Sequence, residues 1–273
     1  MNEDRIILVD KPAGISSFGV VAKVRGKLKA ELGHKIKVGH TGTLDPFATG
    51  LLILLTGKMT KKSNEFLKLD KIYEATLKLG YTSTTGDPEG EITEYPFPEH
   101  SEVFPKGIPS DLPDPTNAKQ IRTFDNKPKA LSNTLSRSMF GDGPNTERLS
   151  PVTTGARERS EKDVLLALSQ FIGKIIQTPP KFSAIKINGQ RAYKLARKGQ
   201  DFEIPSREVE IYSIDILDYH YPELKIRVHC SSGTYIRTLA EDIGKKLGLG
   251  AYLTALRRTK IGKYSINDAI MLQ

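Results

Sequence analysis

The 273-residue chain has one cysteine, Cys230, and no tryptophan. A single thiol excludes an internal disulfide and every zinc site built from a cysteine cluster. Long apolar runs are missing too: the longest, Leu51 to Leu55, is far too short to span a bilayer. No charged-then-apolar leader opens the chain at Met1-Asn2-Glu3-Asp4-Arg5. The expectation is a cytoplasmic protein with no membrane association. Several catalytic signatures also fail. A phosphate loop ending at Gly57-Lys58 needs a glycine where Leu52 stands, and Gly248-Leu249-Gly250 lacks the third glycine of a dinucleotide fingerprint. No serine occupies a Gly-x-Ser-x-Gly elbow, and the five histidines form no pair at metal-ligand spacing on a helix. ATPase, dehydrogenase, serine hydrolase and zinc hydrolase chemistry all lose their usual support.

Basic charge is what the chain has in excess. Lysine and arginine number 41 against 32 acids, a net charge of +9. That surplus favours an anionic partner and says nothing about fold. Apolar residues make up 38%, below the usual globular share, so some segment should lie outside the core. The stretch from about 96 to 160 fits that role. It holds nine of the sixteen prolines and no sustained periodicity, and it is expected to be a disordered or irregular insertion within one domain spanning 1–273.

Around it, periodicity predicts a mixture of strands and helices. Ile6 to Val9 reads as a strand, followed by a helix from Ser17 with Phe18, Val21, Val24, Leu28 and Leu32 on one face and Gly33 as its stop. Leu51 to Leu55 reads as a buried strand, and Lys71 to Tyr81 alternates with Tyr73, Ala75, Leu77 and Leu79 inward. Ser160 and Asp163 suggest a weak capping box before a stripe of Val164, Leu165, Leu168, Phe171 and Ile172. Strands are expected near 209–217 and 224–230, the second burying Cys230. A helix carrying Ile236, Leu239, Ala240, Ile243 and Leu247 comes next, with a short helix from Ser265 to Met271 at the end. Without regular βαβ alternation, the fold class is α+β around a mixed sheet.

The segment Gly39-His40-Thr41-Gly42-Thr43-Leu44-Asp45-Pro46-Phe47-Ala48-Thr49-Gly50 is the informative one. Three glycines and a proline mark a tightly turning loop between the strand-like Ile36-Lys37-Val38 and the run from Leu51. Such anchored loops often carry catalytic groups, and Asp45 is the only acid in this one. Taken alone, Asp45-Pro46 fits a turn whose carboxylate bonds nearby backbone amides.

This block resembles the catalytic signature of the TruB family of tRNA pseudouridine synthases. Six further stretches resemble family motifs in the expected order. They are Lys11 to Ser17, Gly57 to Lys61, Lys71 to Ala75, Gln177 to Lys186, Gly233 to Leu239, and Leu256-Arg257-Arg258. The resemblance covers about 5–95 and 160–270. It implies the pseudouridine synthase fold, a mixed and mostly antiparallel sheet flanked by helices around a central catalytic cleft. It further implies isomerisation of U55 in the T-loop of tRNA, with base flipping and without cofactor or metal.

By the same resemblance Asp45 is the nucleophile, Arg237 its partner, and Tyr73 a stacking residue with a part in proton removal. Tyr235 and Leu256 line the uracil pocket, His40 fills the space left by the flipped base, and Lys11 holds the active-site loop or a phosphate. Residues 181–204 correspond to a mobile RNA-gripping loop, with Lys181, Lys186, Arg191, Lys194, Arg197 and Lys198 on the RNA backbone. Attack of Asp45 at C6, attack at C1′ and elimination all remain open. Typical members continue into a PUA-type RNA-binding domain, which is expected to be absent here. The T-stem and T-loop of tRNA are the expected partner, for a monomer needing no partner protein. Two other readings are a guide-RNA-dependent relative and an RNA-binding module or tRNA-folding chaperone without isomerase activity.

Overall fold

A computed structural model describes residues 3–96, 159–187 and 189–272. The expected insertion lies outside them except at its two ends.

The first half holds β1 (Ile6–Lys11), α1 (Ser17–Leu32), β2 (Val38–His40), β3 (Thr49–Thr56), a 3-10 turn, and α2 (Ser63–Leu67). Then come β4 (Lys71–Leu79), β5 (Tyr81–Ser83) and β6 (Ile92–Glu94). The second half begins with α3 (Glu161–Ser169), β7 (Gly173–Gln177), β8 (Lys186–Ile187), β9 (Gln190–Arg191) and α4 (Ala192–Arg197). It ends with β10 (Arg207–His220), β11 (Glu223–Cys230), α5 (Ile236–Leu247), β12 (Ala251–Ile261), β13 (Tyr264–Ser265) and β14 (Ile270–Met271).

One sheet runs β14-β1-β3-β12-β4-β11-β10-β7, with β2 beside β3 and β13 beside β12. Pairing is antiparallel except at β1–β14 and β3–β12. The expected mixed, mostly antiparallel architecture is therefore observed. Along β4 the odd-numbered residues from Lys71 to Leu79 are all buried. Their apolar members join α3 and α5 in the main core, to which Leu239, Ile243, Val164 and Leu168 contribute. Stripping a Leu such as Leu77 from that core to Ala costs about 2–5 kcal/mol. A second core lies between α1 and the β1–β3 pair, where Val20, Val21, Val24 and Leu28 meet Val9, Leu52 and Leu54.

Helix ends follow their capping chemistry. The Ser16 hydroxyl accepts the Gly19 N–H, and Gly33 closes α1 in the left-handed region at φ 78°. The Ser160–Asp163 capping box is complete. Cys230 is buried as expected.

Several expectations need correction. Phe18 is exposed; the buried face of α1 starts from Ser17 and Val20 instead. The strand before the loop is Val38–His40, two residues later than expected, because it pairs with Leu54 to Thr56. Phe171 and Ile172 fall beyond the end of α3, and β7 follows them as an edge strand. The terminal helix is absent: the basic run is the long strand β12, and 265–271 is a strand end, one 3-10 turn and β14. Arginine and lysine on one face of β12 masked an alternation that buries Leu253, Leu256, Arg258 and Ile261. No helix among the described residues is long and apolar enough to cross a membrane.

Candidate active site

The parallel contact between β3 and β12 sets the floor of a cleft. Gly50 sits opposite Arg258 with φ 107°, and a Cβ there would lie 2.3 Å from the Arg258 carbonyl oxygen. Only glycine lets the two strands meet so closely. The loop preceding Gly50 is tied down from below. Lys11, fully buried, donates from Nζ to the carbonyls of Pro12, Pro46 and Ala48 at 2.8, 3.1 and 2.6 Å. Its three donors meet three acceptors, two of them carbonyls of the loop, and burial pulls the ammonium down to about 8. Arg258, also buried, donates from Nε to Leu51 O at 2.8 Å and from Nη2 to Gly42 O at 3.2 Å. The Ser17 hydroxyl takes the Leu44 N–H at 2.8 Å and donates to the Leu44 carbonyl at 2.9 Å.

Held this way, Asp45 points into a cavity of about 260 Å³ lined also by Tyr73, Tyr235, Arg237, Leu256 and Arg258. Arg237 reaches it from the first turn of α5. That turn is fixed by Gln177 of β7, which accepts the Tyr235 N–H at 2.7 Å and donates to the Tyr235 carbonyl at 3.0 Å. The guanidinium is only 4% exposed, and its three nitrogens make five short contacts with acceptor oxygens, four of them hydrogen bonds. Nε meets Asp45 Oδ2 at 3.1 Å and Nη2 meets Asp45 Oδ1 at 3.4 Å. The remaining three go to Thr85 O at 3.0 Å, Asp87 Oδ2 at 3.1 Å and Phe182 O at 2.9 Å. A surface pair of Arg237 with Glu241 is therefore excluded.

The guanidinium offsets the burial of Asp45 only in part. Burial lifts the Asp45 carboxyl above the usual range, Arg237 pulls it back, and Asp87 pushes it up again. The net effect leaves the Asp45 carboxyl raised, with 31% of its side chain open to the cleft.

Tyr73 is buried, and burial raises its pKa with Arg258 as the main opposing influence. The phenol is thus neutral at ordinary pH, which disfavours it as an unaided base and suits it as a wall against a planar group. Tyr235 stands at the other side with the Arg207 guanidinium 4.9 Å from its ring centre. Leu256 is buried and lines the same cavity. His40 ends β2 outside the lining, its Nδ1 accepting the Gly42 N–H at 3.4 Å. Burial, then Arg258 and Arg191, lower its pKa, so the ring is neutral.

The segment 181–204 folds as a β8–β9 hairpin and the short α4, and it covers the cleft through Phe182, Ser183 and Ala184. Its six cations all face solvent. Lys181 pairs with Asp201 at 3.2 Å, Arg191 donates to Ala184 O, and Arg197 lies 5.8 Å from the Tyr193 ring.

Asp87 and Arg258 are the main site residues that sequence reasoning passed over. Asp87 stood in a Gly-Asp-Pro-Glu-Gly run that signals only a turn, and nothing local shows that its carboxylate is buried against α5. Arg258 was visible in Leu256-Arg257-Arg258, but the strand alternation that turns it inward was not. Lys71 is a third: buried at the cleft, it donates to Leu67 O at 2.7 Å and to Leu69 O, and burial pulls its pKa to about 8. Among the described residues no group of three or more ligating side chains is placed to hold a metal.

Comparison with known proteins agrees with this geometry. Residues 27–105 and 118–236 match a family model described as TruB family pseudouridylate synthase (N terminal domain), and 237–273 match a tRNA pseudouridylate synthase B C-terminal domain. A tRNA pseudouridine synthase B from Phocaeicola vulgatus is 40% identical over 99% of this chain and 91% of its own length. Proteins of that name from Bifidobacterium longum and Cupriavidus pinatubonensis are 36% and 38% identical over 96% and 98% of the chain. The chain spans only 64% and 65% of those two relatives. A solved Cbf5-Nop10-Gar1 complex shares the fold, with TM-score 0.56 and 24% identity over 99% of this chain and 52% of that one.

Proposed function

The chain belongs to the TruB family of pseudouridine synthases, and on that footing we propose that it converts U55 in the T-loop of tRNA to pseudouridine. The observation that carries this reading is the Asp45 carboxylate, set at the base of a nucleobase-sized cleft and gripped at both oxygens by a buried arginine.

The reaction breaks the N1–C1′ bond, turns the uracil over and joins C5 to C1′; the C5 proton leaves and N1 gains one. Asp45 supplies the carboxylate that assists this exchange, and Arg237 keeps it oriented. A uridine within a folded loop must leave its stack to reach the cleft, at a cost of a few kcal/mol. Tyr73 and Leu256 offer apolar surface to the extruded base, and His40, outside the cavity lining, would fill the vacated stack. The exposed cations Lys181, Lys186, Arg191, Lys194, Arg197 and Lys198 are suited to phosphates of the T-stem. The protein acts as a monomer on this reading, without a cofactor.

The test is release of tritium from C5-labelled uridine in a tRNA transcript, followed by mapping of the modified nucleotide. Wild-type protein should release one equivalent per tRNA. Binding without release would leave an RNA chaperone, and modification elsewhere would refute the U55 assignment.

A further inference from the structure

Among the described residues, two buried side-chain polar atoms have no hydrogen-bond partner: Ser183 Oγ and Arg207 Nε. Both residues line the cleft that holds Asp45. Buried polar atoms are nearly always paired, because an unmade bond leaves the loss of water uncompensated. Two such atoms around one cavity call for an explanation.

Neither residue is loosely placed. Ser183 is 4% exposed, its carbonyl accepts the Tyr193 N–H at 3.0 Å, and the preceding carbonyl is held by Arg237. Arg207 pairs with Gln177 across β10 and β7, donates from Nη2 to Gly233 O, and packs over Tyr235. Each scaffold thus keeps one unused polar atom buried in the wall of the cleft.

We propose that Ser183 and Arg207 are binding residues for the flipped nucleotide, each making its missing hydrogen bond to that nucleotide. The proposal rests on the isomerase reading above. Arg207 Nε–H only donates, so it takes an acceptor oxygen of the base, ribose or phosphate; the Ser183 hydroxyl donates or accepts. Ser183 comes from the gripping loop and Arg207 from the sheet. A bound nucleotide therefore bridges the loop wall and the sheet wall of the cleft, and the loop gains its last bond only when the cleft is filled.

The experiment compares Ser183→Ala and Arg207→Lys with wild type in the full chain, by melting of the free proteins and by tritium release. Free Ser183→Ala should melt at or above the wild-type temperature, since the deleted hydroxyl bonds nothing. Its kcat/KM should fall roughly tenfold, the worth of one hydrogen bond. Arg207→Lys keeps the charge and loses the Nε–H, so it should lose a similar factor. An unchanged kcat/KM in Ser183→Ala would overturn the proposal, as would a lower melting temperature with activity falling only in step with folded protein. If wild type binds tRNA but releases no tritium, the isomerase reading fails separately. Filter binding then decides the proposal: it stands if Ser183→Ala binds more weakly and falls if affinity is unchanged.

Discussion

Between Gly39 and Gly50 the backbone is tied from below by Lys11 and Arg258, both buried and both spending their donors on loop carbonyls. Between residues 181 and 204 such ties are few. Ser183 and Ala192 are the only buried residues there among those described, and the Lys181–Asp201 pair is solvent-exposed. Exposed pairs of that kind contribute at most about 1 kcal/mol. Under the proposed function the first loop has to present a carboxylate to within a fraction of an ångström, which suits a loop fixed before substrate arrives. Under the proposed function the second would follow an RNA surface, its exposed cations meeting the phosphates. On that reading rigidity sits where bonds would be made and broken, and adaptability where charge would be matched.

Substitutions on the rigid side should be the most severe. Asp45→Asn is expected to lower turnover roughly 10⁴-fold or more, the scale at which removal of a covalent catalyst acts in other enzymes. tRNA affinity should stay near wild type by filter binding. Substantial tritium release by this variant would remove Asp45 from the mechanism. Lys11→Met should come next, since it strips three carbonyls of their donor at a cost of about 3 kcal/mol in denaturant unfolding. Displacement of the loop by about 1 Å would lower kcat about 10²-fold as well. A Lys11→Met protein as stable and active as wild type would show that the loop holds itself.

The gripping loop should answer differently. Replacing Lys186, Arg191, Lys194 and Lys198 with Gln is expected to reduce the slope of log affinity against log salt by about one per cation. Stability should change by no more than about 0.5 kcal/mol, as for other exposed positions. An unaltered salt slope would take these four residues off the RNA.

The same contrast governs what could be read before any coordinates. The residues of β4 announce their buried face through strict alternation, and Ser160 and Gly33 announce helix ends through capping chemistry, because these signals are local. The catalytic loop was legible by its motif. What stayed hidden is what the topology brings together over long distances in the chain: Asp87 against Arg237, Gln177 under Tyr235, Arg258 beneath Gly42. Phe18 misled because position on a helical stripe does not say that a partner surface extends that far. The terminal helix misled because a strand with one charged face looks like a basic tail when its neighbours β3 and β4 are unknown.

Asp87 sharpens the comparison most finely, because it acts on Asp45 through charge with little effect on the loop itself. With Asp45 acting as proposed, activity requires the ionised carboxylate, and the rate is expected to rise with pH as Asp45 loses its proton. Burial moves that acid limb upward, Arg237 moves it down, and the Asp87 charge moves it up. Asn at 87 retains an oxygen for the Arg237 N–H and deletes the negative charge, while its amide nitrogen meets the Glu89 N–H that Oδ1 accepts in the wild type, at a cost of about 1–3 kcal/mol in stability. Asp87→Asn should therefore shift the acid limb of kcat/KM to lower pH and leave the plateau close to wild type. Arg237→Met should shift the limb the other way and lower the plateau, since orientation is lost along with charge. A pH–rate series on both variants measures the two displacements, and an Asp87→Asn limb that stays put or rises would mean that Asp45 does not set it.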